Sequence, residues 1–126
     1  MFKNFFTKLG AEDRKHHRLP TDFILKYKIH QSQEDLKFGQ CKNISLGGIF
    51  VVEVDEHLAP NTLLDLELSL PPTFAEGKNH FNLSSVVMHC TKSADKENFN
   101  CGLKFMEKDK QGLKILEKYL HYLKKH

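Results

Sequence analysis

The chain has 126 residues, of which 40% are apolar, with 19 Lys+Arg against 16 Asp+Glu and a formal net charge of +3. That length suits one domain with a real core, and the apolar fraction excludes a wholly disordered chain. No apolar run is long enough for a membrane span, and the first ten residues, MFKNFFTKLG, lack the unbroken apolar stretch of a secretory signal, so a cytoplasmic location and no stable membrane insertion are expected.

At the N-terminus, Phe2, Phe5, Phe6 and Leu9 have helical spacing, with Lys3 and Lys8 on other faces. Residues 1–12 therefore read as a terminal arm or short helix, too short for stable membrane binding alone. From residue 20 the period becomes two. Phe23, Leu25, Tyr27 and Ile29 alternate with Ile24, Lys26, Lys28 and His30, which predicts a half-buried strand after Pro20. Leu36 to Lys42 predicts a second strand, reached through the polar turn Gln31–Asp35, and Ile49 to Val54 a third. Leu64, Leu66, Leu68 and Leu70 alternate with Asp65, Glu67 and Ser69 to predict a fourth, stopped by Pro71-Pro72. Phe81–Cys90 and Phe99–Phe105 predict the fifth and sixth.

After Phe105 the period changes. Leu113, Leu116, Leu120 and Leu123, widened by Ile115, Tyr119 and Tyr122, predict an amphipathic helix over residues 109–125. Its stripe spans barely two heptads, which favours packing on the preceding strands over a dimer zipper. Six short strands and one helix predict a mostly β chain: a six-stranded antiparallel barrel with a C-terminal α-helix packed on it.

Charge is unevenly spread. Residues 1–18 carry five basic and two acidic side chains, residues 19–107 eight and twelve, and residues 108–126 six and two. An acidic body between basic ends lacks the continuous basic face of a nucleic-acid binder. Seventeen of the cations are Lys; the two Arg stand four residues apart at Arg14 and Arg18. A guanidinium offers a planar fork for phosphate and a flat face for a base, neither of which Lys provides. Two surface cations of accidental identity are the plainer explanation of that spacing taken by itself.

A second segment, Asn43-Ile44-Ser45-Leu46-Gly47-Gly48, lies between the second and third strands. At an extended strand end Asn43 and Ser45 would face one side with Ile44 opposite, and the glycines would allow positive φ or a close approach of the backbone to a ligand. By itself this is an ordinary turn with local side-chain hydrogen bonds. Eight His and three Cys form no metal-ligand spacing: His16-His17 and His89-Cys90 are adjacent pairs, and no Cys-x-x-Cys occurs. Cys41, Cys90 and Cys101 read as free thiols of a reducing compartment, with Cys90 and Cys101 in strands as small apolar residues. No acid–base pair or nucleophile stands out, so no catalytic residue, metal or cofactor is expected.

Together, Arg14-x-x-x-Arg18 and, 24 residues later, Asn43-x-Ser45-x-x-Gly48 resemble the paired motif of the PilZ domain family, receptors for the bacterial second messenger cyclic di-GMP. The resemblance runs from about Asp13 to Phe105. It divides the chain into an arm (1–12), a PilZ-like barrel (13–107) and a packed helix (108–126). It implies a non-enzymatic receptor or adaptor in which Arg14 and Arg18 grip phosphates and stack on guanines. Asn43 and Ser45 would bond guanine edges or nearby ligand oxygens, and Gly48 would leave the floor of the site clear. His17 and Gly47 are weaker candidates.

Asn43 stands where the family often has Asp. Asp13, before the first Arg, opposes phosphate and suggests one ligand per chain rather than a stacked pair. Ligand binding would change a surface read by an unidentified protein partner; the alternative is a PilZ-like interaction adaptor with little nucleotide binding. Monomer and dimer remain equally open.

Overall fold

A computed structural model describes residues 19–70, 80–94, 97–106 and 110–125. Six strands, β1 (Leu19–Ile29), β2 (Lys37–Ile44), β3 (Gly48–Val54), β4 (Leu63–Ser69), β5 (His80–Lys92) and β6 (Phe99–Phe105), precede one helix, α1 (Lys110–Lys125). The strands close into the expected six-stranded antiparallel barrel, in the order β1-β2-β3-β6-β5-β4. Closure leaves no exposed strand edge, which is how a small all-β wall avoids pairing with other chains.

The alternation sorts side chains as the sequence implies. Leu25 and Tyr27 of β1, Leu64, Leu66 and Leu68 of β4, and Leu83 and Val87 of β5 point inward and are almost wholly buried. Ile29 departs from the pattern: at the end of β1 it is 36% exposed, because the barrel wall ends there. The turn that follows places Gln31 at φ 65°, and Ser32 N–H donates to Ile29 O at 2.9 Å.

A part-buried polar link adjoins the core. Tyr27 Oη donates to Glu56 at 3.2 Å, and Lys37 Nζ reaches the same carboxylate at 2.7 Å. Burial and the neighbouring carboxylates push the Tyr27 hydroxyl far above its ordinary range.

α1 begins one residue inside the expected 109–125 span and packs on β5 and β1. Leu116, Tyr119 and Leu120 are buried, while Leu113, Ile115, Tyr122 and Leu123 pack at the edges. Gly112 allows the approach, since a Cβ there would meet Asn82 O and Leu83 Cδ2, each at 2.8 Å. Tyr119 Oη bonds Thr21 Oγ1 at 2.6 Å, and its ring meets Phe23 edge-on at 6.1 Å. The helix is thereby joined to the first residues of β1. No helix among the described residues is long and apolar enough to cross a membrane. The expected N-terminal arm lies outside the described residues.

Candidate functional site

β2 runs two residues further than the sequence predicts, so Asn43 and Ile44 belong to the strand. The register then carries a consequence for the two motifs. Leu19, the residue after Arg18, pairs with Ile44, and Pro20 pairs with Asn43. The start of β1 is delivered to the Asn43–Ser45 segment across 24 residues of sequence. Arg14, His17, Arg18 and Asp13 themselves lie outside the described residues.

Alternation stops at Ile44, whose side chain is fully in the core. Asn43 is half-buried, yet its Oδ1 is shut off from water and has no hydrogen-bond partner among the described residues. An amide oxygen in that state costs free energy until a donor arrives. Bulges disturb the ladders here, between Pro20 and Phe23 against β2 and between Cys41 and Asn43 against β3, and bulges re-aim side chains.

Ser45 begins the turn rather than continuing the strand. It is buried, and its Oγ accepts from the Gly47 and Gly48 amides at 3.1 and 3.2 Å. Ser45 N–H donates to Gly48 O at 2.9 Å, closing the turn. The hydroxyl thus holds the turn itself. Gly47 O accepts from Phe105 N–H at 3.0 Å, which ties the turn to β6.

Gly48 is required by close approach, not by positive φ. A Cβ there would meet Leu103 O at 2.3 Å and Leu103 C at 3.3 Å, both backbone atoms of β6. The sequence suggests positive φ or close approach to a ligand; the structure shows instead a close approach of β3 to the β6 backbone.

The structure brings to this face residues that no motif marks. Asn43 pairs with Phe50, Phe50 with Gly102, and Gly102 with His89, a single row across β2, β3, β6 and β5. The Phe50 and His89 rings lie 6.4 Å apart, and His89 fills the space that a Gly102 Cβ would need, with Nε2 at 2.3 Å from that position. Lys104, exposed, pairs with Gly48 and adds a cation beside the turn. Lys42, also exposed, is 3.6 Å from Asp22. Only the register of four strands reveals this row; no local spacing signals it.

Elsewhere, a cavity of about 250 Å³ lies over β1, β4 and β5, lined by Lys28, Asp65 and Glu67 among others. Two acids against one base suit a dianion poorly. Among the described residues no three His, Cys, Asp or Glu side chains gather as a metal site would need. Cys41, Cys90 and Cys101 are free thiols.

Comparison with solved structures agrees with the barrel. The chain is similar to the PilZ domain of YcgR from Escherichia coli, solved with c-di-GMP, at a TM-score of 0.67 and 12% identity, covering 89% of this chain and 92% of that one. It is also similar to the Bacillus subtilis inhibitor of motility, MotI/DgrA, at 0.64 and 21% identity, covering 84% of this chain and 48% of that one. A third likeness is to the Klebsiella pneumoniae MrkH–c-di-GMP complex, at 0.64 and 16% identity, covering 85% and 50%. The chain therefore spans about half the length of the Bacillus and Klebsiella chains and nearly all of the E. coli domain. No curated protein matches the sequence significantly. The sequence model of the PilZ domain matches residues 12–122, from ahead of Arg14 to the late turns of α1, and the chain belongs to the PilZ domain family.

Proposed function

We propose that this protein is a cyclic di-GMP receptor that works as an adaptor, without catalysis and without a metal or cofactor, in the cytoplasm. The observation that carries the reading is the pairing of Leu19 with Ile44, which sets the residue after Arg18 between Asn43 and Ser45. A dianionic cyclic dinucleotide needs guanidinium forks for its phosphates, flat cations for its bases and a few directed polar atoms for its edges. Arg14 and Arg18 supply the first two. The Asn43 Oδ1, without a partner among the described residues, accepts from a guanine N–H. Ser45 serves the site by shaping the turn: its hydroxyl accepts from the Gly47 and Gly48 amides and donates to Gly48 O at 3.5 Å. His17 lies beside Arg18 in the sequence and serves the phosphate side. Two structural neighbours were solved with this dinucleotide, which supports the choice of ligand.

Ligand binding would lock residues 14–18 against the turn. Thr21 and Phe23, a few residues on, touch Tyr119 of α1, so a change at the start of β1 would reach the helix and alter a surface for a protein partner. One specific observation favours the alternative of a PilZ-like adaptor with weak nucleotide binding: the Ser45 hydroxyl already accepts two backbone amides. Calorimetric titration of the full chain with cyclic di-GMP decides between them. Saturable binding, at one ligand per chain, supports the receptor; no heat at high ligand concentration leaves the adaptor alone.

A further inference from the structure

Two of the three thiols are placed for chemistry that neither the ligand site nor the fold requires. Cys90 of β5 and Cys101 of β6 are direct register partners, and their sulfurs lie 3.0 Å apart. We propose that Cys90 and Cys101 form an oxidisable cross-strand dithiol, a site of reversible disulfide formation in the barrel wall. The inference is independent of nucleotide binding.

Geometry favours closure. Partners across an antiparallel ladder have Cα atoms about 4.5–5.5 Å apart, within the roughly 4.4–6.8 Å that a disulfide spans. The sulfurs must approach by about 1 Å to reach bond length, a shift available to χ1 rotation without moving the strands. Cys41 is excluded as a competitor: it sits on β2, separated from β6 by β3, and its thiol donates to Asn43 O at 3.5 Å.

The two thiols have distinct parts to play. Cys90 is partly exposed, within reach of a dissolved oxidant, and Leu58 N–H donates to its sulfur at 3.3 Å. Cys101 is fully buried, and burial together with the adjacent Cys90 sulfur pushes its thiol up. Cys90 is therefore the sulfur that meets an oxidant and Cys101 the one that resolves it. With a peroxide as oxidant, the Cys90 sulfur attacks one peroxide oxygen. The O–O bond breaks, an S–O bond forms, and the leaving oxygen takes the thiol proton, giving a sulfenic acid and water. The Cys101 sulfur then attacks the Cys90 sulfur. The S–S bond forms as the S–O bond breaks, and the hydroxyl leaves with the Cys101 proton as a second water. Two thiols lose two electrons and one hydrogen peroxide gains them. The product staples β5 to β6 around segment 91–100.

The test treats the full chain with hydrogen peroxide, then alkylates it under denaturing conditions for intact mass and non-reducing peptide mapping. The expected result is a monomer lighter by two hydrogens, with only Cys41 still alkylated and a peptide from β5 joined to one from β6. Its melting temperature should rise and return on treatment with dithiothreitol. Added oxygen on Cys90 with Cys101 still alkylatable would overturn the proposal, as would a dimer linked through Cys90 or three alkylatable thiols after treatment. Cys90→Ser serves as the second variant. It should keep Cys41 and Cys101 both alkylatable after the same peroxide dose, and loss of the Cys101 thiol there would show that Cys101 is not reached through Cys90.

Discussion

Replacing Asn43 by Leu separates what this residue does for the fold from what it does for a ligand. Its backbone belongs to ladders with β1 and β3, and those hydrogen bonds survive the substitution. Its Oδ1, by contrast, is buried with no partner among the described residues. A buried acceptor left unsatisfied costs about 1–3 kcal/mol, while an apolar group of similar shape in its place is close to neutral or stabilising. The free protein should therefore be unchanged or more stable by about 1 kcal/mol. For a chain of 126 residues that is a rise in melting temperature of roughly 3–6 °C. In the complex the balance reverses, because Leu leaves a guanine N–H unpaired against an apolar wall. Cyclic di-GMP affinity should fall about 10- to 100-fold, the equivalent of about 1.4–2.8 kcal/mol. Urea denaturation of the free protein and calorimetry with the dinucleotide read the two effects separately. A loss of more than about 1 kcal/mol in the free protein would mean that Oδ1 is already bonded and the reasoning is wrong. Unchanged affinity would remove Asn43 from the binding site.

Other substitutions probe the neighbouring elements. Arg18→Lys keeps the charge but loses the fork and the flat face, so calorimetry should show binding weakened by about ten-fold or more, and Arg14→Ala should cost at least as much. Gly48→Ala sets a methyl 2.3 Å from Leu103 O, so denaturation should show a loss of about 1–3 kcal/mol even without ligand. A stable Gly48→Ala that fails only to bind would make the glycine a ligand floor instead. Tyr119→Phe removes the bond to Thr21 Oγ1 and should cost about 0.5–1.5 kcal/mol in urea while leaving direct ligand contacts intact. Alkaline pH should destabilise the fold. Burial raises the Tyr27 and Cys41 groups, so their contribution is complete below the unfolded values, near 10.0 and 9.0, and is lost as pH rises beyond them. The unfolded chain holds fewer protons in that window, and urea midpoints measured from pH 8 to 11 should fall steadily; a flat profile would contradict the burial argument.

The barrel was legible because each strand solves a local problem. Leu64, Leu66 and Leu68 alternate with polar residues, and only one face of a pleated strand can satisfy that pattern. The ends were less so. β2 continues through Asn43 and Ile44 because β1 and β3 supply ladder partners there, and those partners are remote in sequence. Ser85, inward on β5 and buried, breaks the apolar rule that identified its neighbours; pairing with Leu64 and Phe105 holds it there.

The chemical types of the candidate site are set by the sequence alone: two guanidiniums four residues apart, an amide, a hydroxyl and a glycine pair, in an order that resembles the PilZ motif. The parts that Ser45 and Gly48 play in the fold were decided by tertiary contacts. Ser45 proves to hold a turn because Gly47 and Gly48 fold back on it, and Gly48 proves to make room for β6. The row from Asn43 through Phe50 and Gly102 to His89, and the meeting of Cys90 with Cys101, exist only through strand register. A local pattern reports which way a side chain faces. Which residues from distant strands stand beside it depends on how the barrel closes, and that is settled by the sum of long-range pairings rather than by any segment of the chain.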